Sequence, residues 1–242
     1  MKIAVIQMSD SDYAEDNMGC IHLVSEYCEK HGYKHIAELP HFPDIAVAYQ
    51  KPHIILKYLH NFDYVVWFDI DAAFINTSIR IEDIINLYPE RDIFYFDDIG
   101  SWKLNAGVLI IKNSFKSTDL IWQWWNHCPK RAKPDWRKTA GDQSVLIEVL
   151  EKNPTFEKVL PMNMMNSHPL EFKPGDFVVH FMGYYSGDVK YHMDFIASNS
   201  AGSEWNGKYI EAFAKIQPDA KTRNLEKKYD VISHEDVIKL ML

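Results

Sequence analysis

Short apolar runs alternate with helically spaced segments along most of the chain, and that alternation does most to limit the fold. Residues 2–8 read as a strand that begins at once, and "SDSDYAEDN" (9–17) reads as a polar loop. Met18–His31 has helical spacing and stops at Gly32, a residue suited to the left-handed turn that ends helices. A short strand is predicted at 33–39 and a helix at 53–60. Tyr64–Phe68 is an unbroken apolar run, the signature of a buried strand. Ile81–Leu87 is predicted as a short helix, Ile93–Phe96 and 104–112 as strands, and 117–127 as a tryptophan-rich helix. Residues 142–152 follow as a helix, 158–161 as a short strand, and 176–181 as a buried central strand. This order predicts an α/β domain with a mostly parallel central sheet flanked by helices. In open sheets of that kind, ligands sit at the carboxyl ends of the strands.

Composition narrows the reading. A chain of 242 residues that is 47% hydrophobic can bury one large core, alone or with an appendage. A formal charge of −8 argues against nucleic acid as a partner. No apolar run approaches the roughly 20 residues that span a bilayer. The opening "MKIAVIQM" is too short and lacks the small-residue cleavage site of a signal peptide. Cys20 and Cys28 fall two turns apart on one predicted helix, too far for a bridge, so a reduced, cytoplasmic setting is expected. After about residue 199 the texture becomes small and polar ("SNSAGSEWNGK"), which divides the chain into a domain at 1–199 and a helical appendage, or the lead into a further domain, at 200–242.

Four stretches carry chemistry. In "FDYVVWFDIDAAF" (62–74) the apolar run ends on Asp69 and Asp71, one residue apart. Unpaired buried carboxylates are costly, and an Asp-x-Asp at a strand end suits a hard divalent cation such as Mn²⁺ or Mg²⁺. A second copy, Asp10-Ser11-Asp12, lies in a polar stretch where solvated turn acids are the simpler reading. In "GDFVVHFMG" (175–183) His180 ends an apolar strand, where its imidazole could join Asp71 on the metal, and Gly183 would let backbone approach a phosphate. "LNAGVLIIKN" (104–113) puts the Asn105 amide and the bare backbone of Ala106 and Gly107 at the start of a strand, suited to a hydroxyl-rich ligand or to a simple turn. In "AGDQSVLIEVL" (140–150) Asp142 could cap a helix and could face a ligand together with Gln143.

In order along the chain, these stretches resemble the galactosyl/mannosyl transferase family of GT-A glycosyltransferases. That family includes fungal Golgi α-galactosyl- and α-mannosyltransferases and plant xyloglucan xylosyltransferases. The likeness rests on "YCEKHGY" (27–33), "YQK" (49–51), "VVWFDIDAAF" (65–74), "NAGVLIIKN" (105–113), "GDQS" (141–144) and "GDFVVHFMG" (175–183), and it covers about residues 1–185. It implies the GT-A nucleotide-diphospho-sugar transferase fold. It also implies a metal-dependent transfer of a sugar from a nucleoside-diphosphate sugar to a glycan or other hydroxyl acceptor. Asp69, Asp71 and His180 would hold the ion on the donor diphosphate. Asn105, Asp142 and Gln143 would line the sugar pocket, and Lys51 would contact nucleotide or phosphate. The family's cation shortly after the late histidine is missing here: "GYYSGDVK" holds no lysine before Lys190. The eukaryotic relatives carry an N-terminal membrane anchor, and this chain shows none.

Other positions extend that reading. The loop after the first strand would meet the nucleoside, with Tyr13 stacked on the base and Asp10 or Asp12 accepting from an imide N–H, which favours a UDP-sugar. The resembling family retains anomeric configuration, whereas an inverting enzyme would need a carboxylate base, for which Asp97, Asp98 and Asp142 are the candidates. Trp122 and Trp125 are expected in the core, three residues apart on one helix. The basic loop at 129–138 reads as a solvated loop or as a flap over the site. Two rival readings stand beside the transferase: a sugar nucleotidyltransferase or pyrophosphorylase, and a carbohydrate-binding protein with a degenerate site. The first normally opens with a Gly-rich basic loop, and "SDSDYAEDN" is acidic and lacks glycine. The second is disfavoured by an intact Asp69, Asp71 and His180.

Overall fold

The computed structural model describes residues 1–99, 103–128, 141–153, 159–182 and 189–199. The expected appendage at 200–242 and the basic loop at 129–138 lie outside the described residues. The strands are β1 (Ile3–Met8), β2 (Lys34–Glu38), β3 (Tyr64–Phe68), β4 (Ala72–Phe74), β5 (Ile93–Phe96), β6 (Asn105–Lys112) and β7 (Val178–His180). The helices are α1 (Ser11–Asp16), α2 (Met18–His31), α3 (Lys51–Leu59), α4 (Ile81–Leu87), α5 (Phe115–His127), α6 (Gly141–Glu151) and α7 (Val189–Asn199).

The central sheet has the order β2-β1-β3-β6-β5. β1 is parallel to both β2 and β3, while β6 is antiparallel to both β3 and β5. Only β6 therefore runs against the common direction, and the sheet is mostly parallel as the alternation predicts. Period-two alternation on β3 splits its side chains between two cores. Val65 and Trp67 join Ile6, Leu109 and the apolar faces of α3, α5 and α6. Tyr64, Val66 and Phe68 join Val5, Ile110 and residues of α2 and α4. Helices thus cover both faces, which is why the strand reads as apolar throughout. All three cysteines are buried and unbridged. Among the described residues no helix is long and apolar enough to cross a membrane.

Four expectations are corrected. The stretch after β1 is not a loop: Asp10 accepts from Tyr13 N, capping the helix α1. The fully buried tryptophan of α5 is Trp124, and Trp122 is 52% exposed, whereas Trp125 packs against the core as expected, beside Phe42 and His53. Trp124 also donates its indole N–H to Asp142 O at 3.0 Å, tying α5 to the start of α6. Finally, β7 is not a strand of the central sheet. It pairs antiparallel with β4, matching Ala72 with His180 and Phe74 with Val178. Its two faces are both apolar because Val178 joins the α2–α4 core while Val179 and Phe181 pack with Cys20, Leu23 and Ile196. A short strand wedged between two clusters has the same pattern as a central one. The expected strand at 158–161 reduces, among the described residues, to a single parallel bridge between Leu160 and Phe96.

Candidate active site

β3 ends at the carboxyl edge of the sheet, and Asp69 follows it directly, its N–H donated to Gly107 O at 2.7 Å. The period-two rule puts Trp67 and Asp69 on one side of the strand. The indole of Trp67 accordingly donates to Asp69 Oδ1 at 2.6 Å. The chain then turns, Ala72 N donating to Asp69 O, and enters β4. Because β4 pairs with β7, Asp71 O accepts from Phe181 N at 2.9 Å, and His180 is carried to the same corner.

Asp69, Asp71 and His180 offer ligand atoms that all lie within 4.8 Å of one another. His180 Nε2 is 3.2 Å from Asp71 Oδ1 and 3.9 Å from Asp69 Oδ2. The other polar atom of each residue is held by protein: Asp69 Oδ1 by Trp67 and Lys51, Asp71 Oδ2 by the Tyr13 hydroxyl at 3.0 Å, and His180 Nδ1 by Asn166 Oδ1 at 2.9 Å. Two carboxylate oxygens and one imidazole nitrogen, each steadied from behind, are a donor set that fits Mn²⁺ or Mg²⁺. Burial pulls the His180 pKa down, but Asp71 and then Asp69 outweigh it, so the net shift is upward.

Gly107 makes this geometry available. A Cβ there would lie 2.0 Å from His180 Cε1 and 2.6 Å from its Nδ1. The bare backbone of Gly107 both lines the cavity and seats the histidine ring.

Lys51 opens α3 and is almost wholly buried. Its ammonium donates to Ala106 O at 2.8 Å and pairs with Asp69 Oδ1 at 3.1 Å and Asp142 Oδ2 at 3.0 Å. Those three partners match the three donors of an ammonium. Burial lowers the Lys51 pKa, and Asp142 and Asp69 more than offset it, so it stays charged. Burial raises the Asp142 pKa; Lys51 opposes that, Asp69 adds to it, and the net shift is upward.

Gln143, beside Asp142 on α6, is fixed at both ends of its amide. Its Oε1 accepts from Ala106 N at 3.0 Å and its Nε2 donates to Asp98 Oδ2 at 3.3 Å. Asn105 Oδ1 accepts from Gly107 N at 2.8 Å, while its Nδ2 reaches Met182 Sδ at 3.3 Å.

A cavity of about 180 Å³ opens here, lined by Lys51, Asp69, Asp71, the 105–107 segment, Asp142, Gln143, His180 and Met182. Most of the residues singled out in the sequence are thus brought together. Asp10 caps α1, Asp97 is exposed and accepts from Asp98 N, and Asp98 reaches the cavity wall only through Gln143. Tyr13 approaches from behind Asp71, and Gly183 lies outside the described residues. Sequence reasoning missed Trp67, Asn166 and Met182. Strand parity was a signal for Trp67, whereas no spacing connects Asn166 or Met182 to the acids.

Comparison with solved structures bears on the fold. The chain is 20% identical to a glycosyltransferase involved in the glycosylation of the major capsid of PBCV-1, with a TM-score of 0.64 over 80% of this chain and 99% of that one. It is 14% identical to the glycosyltransferase GlyE of Streptococcus pneumoniae TIGR4, with a TM-score of 0.51 over 89% of this chain and 64% of that one. The bifunctional glycosyltransferase WbbM gives 12% identity and a TM-score of 0.52 over 87% of this chain and 51% of that one. The fold is therefore that of the GT-A glycosyltransferases. No curated protein sequence matches the chain. One family does match, over residues 24–164 and so over more than half of the sequence, and the chain belongs to it: the family described as "Protein of unknown function, DUF273".

Proposed function

We propose that this protein transfers a sugar from a nucleoside-diphosphate sugar to a glycan or other hydroxyl acceptor, with Asp69, Asp71 and His180 holding a Mn²⁺ or Mg²⁺ ion. The observation that carries the reading is the convergence of those three side chains in one cavity with Asp142 and Gln143, at the carboxyl edge of a GT-A sheet. The ordered motifs that resemble the galactosyl/mannosyl transferases support it. When bound, the ion would neutralise charge that develops on the departing nucleoside diphosphate. The chain's own residues do the rest. Lys51 balances Asp69 and Asp142, so that neither stands as an unpaired charge. Ala106 N and Asp98 hold the Gln143 amide in one orientation at the wall that would face the sugar.

The donor base is read as uracil, with the α1 region bearing Asp10 and Tyr13 on the nucleoside side. A pyrophosphorylase is disfavoured by the same element. The segment after β1 is a helix capped by Asp10 and bearing Asp12, which repels the triphosphate that a Gly-rich loop would cradle.

The test is calorimetric titration of UDP and GDP in Mn²⁺ and again in EDTA, followed by a release assay on UDP-sugars. Tight binding of UDP in Mn²⁺, lost in EDTA, is the expected result. Equal binding in both media removes the metal from the proposal, and stronger GDP binding reverses the base assignment.

A further inference from the structure

His180 is gripped on two edges. On one, the ring lies against the backbone of Gly107, in space that any Cβ would fill. On the other, Nδ1 meets Asn166 Oδ1 at 2.9 Å, and Asn166 is itself completely buried. The amide is turned so that its nitrogen points away, Nδ2 lying 3.5 Å from Asp97 O, which leaves its oxygen on the histidine. The backbone enforces this approach. Asn166 N donates to Met162 O at 2.7 Å, closing the turn that precedes it. Ser167 then runs beside β7, accepting from His180 N at 2.9 Å and donating to Val178 O at 3.2 Å. Residue 166 is therefore locked against the strand that carries the ring.

We propose that Asn166 is a positioning residue: its side-chain oxygen fixes a proton on His180 Nδ1 and so presents the Nε2 lone pair toward Asp69 and Asp71. A neutral imidazole has one N–H and one lone pair, and an oxygen at Nδ1 can only accept. The proton must then sit on Nδ1, and Nε2 is the atom that can ligate. An apolar side chain at 166 would remove that preference and let the Nε2–H form, which turns a proton toward the ion. The proposal rests on the metal reading above.

The experiment uses Mn²⁺ alone as probe, with the wild type, Asn166→Leu and Asn166→Asp. Leucine fills the same space without accepting, while aspartate keeps the acceptor. The leucine variant should bind Mn²⁺ about 10- to 100-fold more weakly, the range expected when the outer partner of a ligating histidine is lost. It should also lose the nitrogen modulation in the electron spin echo of the bound ion. The aspartate variant should keep that modulation and stay within about threefold of wild type. Unchanged affinity and modulation in the leucine variant overturn the role of Asn166 while the metal site stands. A wild type that binds no Mn²⁺ overturns the metal reading and this proposal with it. One measurement needs no variant: in wild type loaded with Zn²⁺, proton–nitrogen correlation should show His180 ligated through Nε2 with its proton on Nδ1. Ligation through Nδ1 refutes the assignment even if the leucine variant does not fold.

Discussion

At one end of the cavity Lys51 sits between Asp69 and Asp142; at the other, Asp71 and His180 face each other across 3.2 Å with Tyr13 and Asn166 behind them. The first end carries its own counter-ion, a buried ammonium supplied by α3. The second steadies Asp71 and His180 with neutral groups, a hydroxyl and an amide, which orient charge without cancelling it. Groups that balance a buried acid serve the fold, because an unpaired buried charge destabilises it. Groups that only orient acids leave the negative charge available to something from outside. The two ends share Asp69, whose Oδ1 belongs to the first and whose Oδ2 belongs to the second.

Removing the internal cation should give the largest effect. Lys51→Met leaves Asp142 buried beside Asp69 with no balancing charge, and breaking such a pair costs about 3–5 kcal/mol of stability. Urea denaturation reads this directly. Asp71→Ala at the other end should leave the urea midpoint close to wild type. Equal losses from the two variants would break the division between a stabilising end and a functional one.

A smaller effect is expected at Gly107. Gly107→Ala drives a methyl into the His180 ring, an overpacking that costs about 1–3 kcal/mol. Because the ring must leave its seat, Mn²⁺ affinity should fall by more than tenfold, on the order of the loss seen when a ligand's support is removed. Wild-type Mn²⁺ binding by this variant would show that the glycine does not seat the ligand.

The smallest effect sharpens the role of Tyr13. Tyr13→Phe deletes one hydrogen bond to Asp71 and should weaken Mn²⁺ by no more than about tenfold, the low end for a bond to a charged group, with an unchanged melting temperature. The phenyl ring can still stack, so UDP affinity at saturating Mn²⁺ should hold. If UDP binding falls while Mn²⁺ binding does not, the hydroxyl serves the nucleotide and the outer support of Asp71 lies elsewhere.

The central sheet was legible in the sequence because β1, β3, β5 and β6 are buried, largely apolar runs and helical spacing separates most of them. Tyr64–Phe68, Ile81–Leu87 and Ile93–Phe96 fall within the expected bounds. The acids were legible because carboxylates at the end of such a strand need a reason. His180 was legible as a strand-end residue, but the route that brings it in was not. A three-residue pair such as β4–β7 leaves no periodic trace, and its wedge between two clusters imitates a central strand. Lys51 is expected from the sequence to contact nucleotide or phosphate; it does line the cavity, but its ion pairs with Asp69 and Asp142 and its bond to Ala106 O leave no trace in the spacing. Trp122 and Trp124 show the same limit: aromatics two residues apart on a helix point in different directions, and phase decides which is buried.

The pairing of β4 with β7 has a kinetic corollary. A pair of three-residue strands is held by few backbone bonds and should open locally far more often than the five-stranded sheet beside it. Each opening carries His180 away from the acids while leaving Asp69 and Asp71 on their turn. The proposed ligand set would therefore be complete only in the closed fraction, and an ion bound across it would act as a clasp. Amide exchange at Phe181, whose N–H spans to Asp71 O, would report that clasp as slowed exchange on addition of metal, with the amides of β1 and β3 left as they were.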